Sequence, residues 1–423
     1  MQNLIQKSLK KRYRKEALFK WLGAASIGFA MAFLLLFFTL ICYKGYKAFF
    51  NHEIALKIDF SKESIIQNSD LSKDYDQLSS QELLDQIGYH RLIKQALREK
   101  FPEANSIAQI NGLYRMISEI ADFSLKEKVS QNHNMIGSVA NVWLGVSSKV
   151  DVYFKYKIAE PFNEEEISLL ENLKKSGEIK TIFNWQFLNS ADSREPEAAG
   201  IAASLTGSLL TIAIFLIFAF PIGISCAFYL EEFAKKNRVT DLIEISINNL
   251  AAIPSIIYGL LGLTIYLQFF HLPRSSSLVG GMTLFMLVLP VIIIATRNTI
   301  RSIPQSIRDA AMALGASKMQ VVIHHLLPLS IPGIMTGTIL AMSRALGETA
   351  PLLMIGMVAF IADVPQNFFE PTTVLPVQIY LWSDSPEIGF AEKTAAAIMV
   401  LLGFLVLFNL VAIILRKKFE RKW

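Results

Sequence analysis

Apolar residues in this chain gather into runs long enough to cross a bilayer, and that grouping constrains the fold more than any other feature. A hydrocarbon slab of about 30 Å needs roughly 20 apolar residues in helical form. Six such runs stand at about 21–43, 201–230, 247–270, 278–296, 331–360 and 394–415. With 52% hydrophobic residues and a mean hydropathy of +0.38, the chain reads as an all-α polytopic membrane protein with six transmembrane helices. The first run follows the basic stretch KSLKKRYRKEALFK and lacks a small-x-small site near its end, where Tyr43, Lys44 and Tyr46 stand. It is expected to persist as a helix and not to be cleaved as a signal peptide.

Basic residues set the orientation. Lys10, Lys11, Arg12, Arg14 and Lys15 precede the first run, and Lys235, Lys236 and Arg238 follow the second. Arg297, Arg301, Arg308 and Lys318 lie between the fourth and fifth, and Arg416, Lys417, Lys418, Arg421 and Lys422 follow the sixth. Six alternating crossings place all four groups in the cytoplasm together with both termini. The opposite side receives HLPRSSS and a loop with Asp363, Glu370, Asp384, Glu387 and Glu392. The net charge of +5 therefore reads as membrane anchoring, not as a nucleic-acid patch.

This topology divides the chain into a basic N-terminus with the first helix (1–46), a small inserted extracytoplasmic α+β domain (47–197), and a five-helix core (198–423) that includes a cytoplasmic loop at 297–328. In the inserted segment, Ser79 and Glu82 form a capping box ahead of a helix through LLDQIGYHRLIKQALREKF. Ile107, Ile110, Leu113, Ile117 and Ile120 recur at helical spacing. Val150, Val152, Phe154, Tyr156 and Ile158 alternate, which predicts a strand. Asn163 caps EEEISLLENLKKS, which stops at Gly177, and TIFNWQFL reads as a second strand. His52, His90 and His133 are scattered and read as ordinary histidines. Cys42 and Cys226 sit in apolar stretches, form no CxxC, and read as small buried hydrophobes.

The stretch SIPQSIRDAAMALGASKMQVVIHHLLP predicts a helical hairpin. Ser302 and Gln305 form a capping box, with Pro304 tolerated in the first turn. Ile303, Ile307, Ala310 and Leu314 share a face of the first helix. Gly315 is free to take a positive φ at the bend. Ser317 and Gln320 form a second box, Met319, Val322, Ile323 and Leu326 line the second helix, and Pro328 ends it. Such a hairpin either docks into a groove on another protein or lies on its own membrane domain. His324 and His325 point about 100° apart, so one metal ion does not easily take both. The chain has no G-x-x-x-x-G-K-[ST] stretch.

The fifth run carries charges. Arg344 and Glu348 are four apart and share a helix face, at a cost of about 2.5–3.5 kcal/mol or more each in a bilayer. Gly347 and Pro351 bracket Glu348, so the helix is expected to kink or open there. Two readings stand: an oxyanion site built on the Arg344 fork, or an Arg–Glu pair that pins helices. Arg297 is a further candidate, equally explained as an anchor.

DAAMALG followed by LP resembles the EAA loop of ABC import permeases. Asp309, Ala310 and Ala311 match its opening with Asp in place of Glu, Gly315 falls at the required spacing, and Leu327-Pro328 at the required end; His325 stands where the family often has Ile. The resemblance implies a coupling helix carried by Asp309, Ala310, Ala311, Leu314, Gly315, Ala316 and Ser317 that seats in a separate ATPase. RALGETAPLL is similar to the corresponding stretch of the A-type permease of phosphate-specific ABC importers. FNWQFL, SREPEAAGI, NLAAIPSIIYGLLGL, LVLPVIIIATRNTIRSIP and LPVQIYLW agree, covering about 180–415. The region 47–180 resembles, more weakly, an extra N-terminal region of some members.

What this implies is a type I importer permease fold in a bacterial inner membrane, with phosphate as cargo and Arg344, Glu348, Thr349 and Arg297 along its path. The implied partners are a second, related permease, an ABC ATPase dimer that binds ATP and Mg, and an extracytoplasmic phosphate-binding protein. No cofactor or metal is expected in this chain itself. Two other functions fit less of the sequence: a permease for sulfate or molybdate, or a membrane receptor signalling through the hairpin. Enzymatic activity is not expected, since the paired carboxylates occur only in runs such as residues 164–166.

Overall fold

The computed structural model describes residues 2–69, 80–104 and 106–419. The first helix, Gln2–Gly45, has 44 residues and so measures about 66 Å. Phe29, Met31, Phe33 and Leu35 on it are exposed, which suits a helix wrapped mostly by lipid. Its packing is concentrated at its C-terminal end. There Ile41 is buried and Gly45 lies against Ala395 and Ala396 of the last helix.

A three-stranded antiparallel sheet of order β2-β1-β3 follows, from β1 (Phe50–Asp59), β2 (Val139–Gly145) and β3 (Ile179–Phe183). Leu56 pairs with Val142, and Ile54 with both Leu144 and Ile179. His52, Ile54, Leu56 and Ile58 point to one face and are buried, as the two-residue period requires. Leu92, Ile93 and Leu97 of helix Tyr89–Lys100 and Leu125 and Val129 of helix Ala121–Gln131 close that face into one core.

Several local expectations for this domain are corrected. Residues 148–156 form a helix, Ser148–Tyr156, not a strand. Val150, Val152, Tyr153 and Phe154 are all buried, so the segment satisfies both periods and alternation does not discriminate. TIFNWQFL is strand only to Phe183; Asn184 then caps the short helix Trp185–Asn189 by accepting from the Phe187 N–H at 3.0 Å. The helix expected through 83–101 breaks at Gly88, and that from Ile107 ends at Tyr114. Ser79 lies outside the described residues. β1 was not anticipated, although its alternation is plain once the strand is known. Asn163 does form a capping box, with Glu166.

Among the described residues, four further helices are long and apolar enough to cross a membrane: Ala202–Phe233, Ser277–Ser302, Lys318–Gly347 and Ile388–Lys418. The third expected span is instead a bent pair, Arg238–Ala251 and Ser255–Phe269, folded by 101°. Pro254 sits at the break, where it cannot extend the helix before it. These helices bury two apolar clusters, one around Phe215, Tyr258, Leu287 and Met342, the other around Phe228, Ile300, Val322 and Leu326.

Candidate functional site

The hairpin begins at helix Gln305–Ala313 and turns at Gly315, whose φ is +86°. The Ala316 N–H reaches the Ala311 carbonyl at 3.1 Å and the Gly315 N–H reaches Met312 at 2.9 Å. These two bonds make a Schellman end, which needs a residue that accepts left-handed backbone. Ser317 and Gln320 then cap each other reciprocally, at 3.4 and 2.8 Å. Ser302 forms no such box; its hydroxyl donates to the Thr299 carbonyl, because helix Ser277–Ser302 runs through it.

The buried face of the first arm is also not the expected one. Ile303, Arg308 and Ala311 are buried and Ile307 partly so, whereas Asp309, Ala310 and Leu314 are exposed. Leu314 is 90% exposed at the tip, flanked by exposed Met312, Met319 and Ile323. On the second arm Val321, Val322 and Leu326 are buried. Both arms therefore seat one side on their own membrane domain and leave an apolar tip outward.

Pro328 does not end the second arm. Lys318–Val321 passes through a π-helical turn, Val322–Leu326, into Leu327–Gly347 without a break. The widened turn just before Pro328 absorbs the carbonyl clash that a proline imposes four residues back. His324 and His325 are exposed on that turn. One rod thus runs from the Gly315 bend to Gly347.

The first arm of the hairpin and the end of the fourth span are tied to the second span by a charge network that the sequence reading missed. Arg308 donates to Glu232 and to the carbonyls of Ile300 and Ile303. Arg297 donates to Glu231 at 2.6 Å and its Nη2 lies 2.7 Å from Glu244. Arg301 donates to the same two carboxylates. Arg297, proposed from sequence as a path residue, is thereby held among Glu231 and Glu244 and buried. The EE pair after the second span was the available signal.

At Gly347 the rod stops. Glu348 is extended (φ −80°, ψ 118°), Thr349 opens the next helix, and Pro351 stands in the first turn of Ala350–Met354. Arg344 Nε lies 3.6 Å from Glu348 Oε1, with the two side chains 39% and 18% exposed. Thr349 uses its carbonyl to start the new helix. Helix Ser255–Gly262 approaches so closely that a Cβ on Gly259 would lie 2.7 Å from the Pro351 Cα. Beside Gly347 there is open space. Behind Arg344, Ser343 donates to Asn409 of the last helix at 3.1 Å. A broken helix carrying an arginine with spare donors beside open space is able to receive a small oxyanion.

Comparison with known proteins gives a consistent picture. Residues 219–423 match the family described as "Binding-protein-dependent transport system inner membrane component", and residues 6–164 match "Domain of unknown function (DUF3333)". A protein of Bacillus subtilis, "Probable ABC transporter permease protein YqgI", is 32% identical over 54% of this chain and 82% of its own length. "Phosphate transport system permease protein PstA" of Yersinia pestis is 31% identical over 52% of this chain and 73% of its own. The PstA 1 protein of Mycobacterium tuberculosis (strain CDC 1551 / Oshkosh) is 29% identical over 52% and 72%.

Proposed function

The chain belongs to the binding-protein-dependent ABC importer permeases, among the PstA-type subunits, and from that premise we propose how its parts work. It is the permease subunit of an ATP-driven phosphate importer. It spans the membrane several times and forms the path for the anion. Family membership brings an ATPase and a substrate-binding protein as partners.

The single observation that carries the mechanism is the unbroken rod Lys318–Gly347. Its hairpin end presents Leu314 and Met319 to a partner, and its far end holds Arg344 and Glu348. Seating of the tip in an ATPase dimer would move the rod as one piece, and with it the break at Gly347. ATP and Mg belong to that partner. The cargo side is Arg344, with Glu348 and Thr349 at the break; Arg297 supports the frame. Asp309, Ala310, Leu314, Gly315, Ala316 and Ser317 form the coupling surface and its bend, while Ala311 is buried behind them and holds the bend through its carbonyl, which accepts from the Ala316 N–H.

In this reading the hairpin and both termini are cytoplasmic, and residues 47–197 stand outside the cell. A second, related permease completes the path, and a phosphate-binding protein delivers cargo from outside. Reconstitution of the full assembly in liposomes tests this. ATP-dependent uptake of labelled phosphate, unaffected by excess sulfate or molybdate, is the expected result. Uptake of a different oxyanion in its place refutes the cargo, and recovery of the chain without any ATPase refutes the coupling.

A further inference from the structure

The N-terminal domain meets the last helix through charges that are buried on both sides. Lys155, from helix Ser148–Tyr156, is 5% exposed. Its Nζ lies 2.5 Å from Asp151 Oδ2 and 2.7 Å from Glu392 Oε1 on helix Ile388–Phe419. Asp151 also accepts from the His52 backbone N–H at 3.1 Å and sits 2.8 Å from His52 Nδ1. The next residue on the last helix, Lys393, is buried; it donates to the Ala199 carbonyl at 3.3 Å and lies over the Phe187 ring.

Burying ionic groups between two bodies is costly, and a well-packed apolar contact would hold them as firmly. What the ion pair adds to the apolar contacts around it is a defined attachment point. That point is the end of a continuous helix. Seventeen residues further along the helix, about 25 Å at 1.5 Å per residue, Asn409 accepts from Ser343, the neighbour of Arg344. Arg416 of the same helix donates to Thr336 of the rod at 3.3 Å. The last helix is therefore bonded to the N-terminal domain at one end and to the rod that carries Arg344 along the rest.

We propose that Lys155 is a positioning residue for transport: it fixes the outer end of the last helix through Glu392, so that load on the N-terminal domain is transmitted to the rod beside Arg344. This rests on the permease reading above and extends it by giving the N-terminal domain a task. The domain is a lever through which contact with the external binding protein is sensed by the membrane helices. Lys155 touches neither cargo nor ATPase.

The complete transporter in liposomes tests the lever. The variants are Lys155→Met, Glu392→Gln, their combination and Lys155→Arg, and the readouts are ATPase rate with and without the binding protein and the thermal midpoint. Each single variant is expected to cut the stimulation by the binding protein about tenfold, the scale of a coupling energy between sites, while basal ATPase stays as it was. The double variant is expected to be no worse than either single one, and Lys155→Arg to recover much of the effect. Unchanged stimulation in Lys155→Met or Glu392→Gln overturns the proposal, as does a drop in thermal midpoint with stimulation intact, which marks a mere staple. Should Lys155→Met fail to fold, Glu392→Gln, which keeps shape and hydrogen bonding, carries the same test. A wild-type assembly that is stimulated but moves no phosphate refutes the cargo assignment and leaves the lever standing.

Discussion

Arg308 Nε and Nη2 both donate to Oε1 of Glu232, at 3.1 and 2.9 Å, so the hairpin is fastened by ion pairing to the end of the second span. The same guanidinium closes the carbonyls of Ile300 and Ile303 at the end of the fourth span. One side chain therefore joins three elements, and the side chains of the pair are only 11% and 16% exposed. Removing one partner of such a buried pair costs about 3–5 kcal/mol. Arg308→Ala is expected to lower the thermal midpoint of the purified protein and abolish uptake. Arg308→Lys, which cannot fork, is expected to recover little. A midpoint equal to wild type would show that the joint carries no load.

Gly315 holds φ at +86° with open space around its Cβ position, so any penalty of substitution is conformational and not steric. A β-branched residue in that region costs on the order of 1–3 kcal/mol. Gly315→Val is expected to uncouple ATP hydrolysis from uptake, whereas Gly315→Asn, which tolerates the left-handed region, keeps most of it. Parallel measurement of uptake and ATPase rate separates the two.

Leu314 is 90% exposed and contributes almost nothing to folding. Leu314→Asp is expected to shift stability by no more than about 0.5 kcal/mol while the ATPase no longer co-purifies. Co-purification at wild-type yield would remove the tip from the interface.

Arg344 and Glu348 form a loose pair at 3.6 Å, with the arginine more than a third exposed. Such a pair contributes less than about 1 kcal/mol to stability, so Arg344→Ala is expected to fold normally. If the guanidinium binds the anion, its charged hydrogen bonds are worth about 1.5–3 kcal/mol, and the KM for phosphate uptake rises by roughly 10- to 100-fold. Equal KM values in the variant and wild type would leave only the pinning role.

Asp151 gives a pH signature. Burial alone pushes its carboxyl up, but the His52 hydrogen bond and the Lys155 charge hold it below the ordinary carboxylate value. A depressed folded-state pKa stabilises the domain above the unfolded carboxylate range near 4, and that stability is lost as pH falls through the lower folded value. The thermal midpoint is expected to drop on acidification below about pH 4. In Asp151→Asn this drop flattens, and the midpoint at neutral pH is already lower, because Lys155 keeps only Glu392.

Long apolar runs declared five of the six expected spans without help from the rest of the chain, because backbone in a bilayer must satisfy its own hydrogen bonds; the third run folds instead into a pair bent by 101°. The Gly315 bend and the Ser317–Gln320 box were equally legible, being local chemistry. The break at Gly347 followed from Pro351 and the charges beside it. Helix Ser148–Tyr156, with Val150, Val152, Tyr153 and Phe154 all buried, mimicked a strand; β1 alternates cleanly between buried and more exposed positions and simply passed unnoticed.

The sequence by itself determined where the chain is apolar enough to cross a membrane, where it bends and which charges stand within an apolar run, since each depends on residues close together along the chain. Only the tertiary structure decided that Arg308 closes on Glu232, that Arg297 is held by Glu231 and Glu244, that the rod runs on through Pro328, and that Lys155 meets Glu392. Those are pairings between distant segments, or a choice between breaking and widening a helix. Their outcome depends on which surfaces the packed helices bring together, and no local pattern of residues carries that.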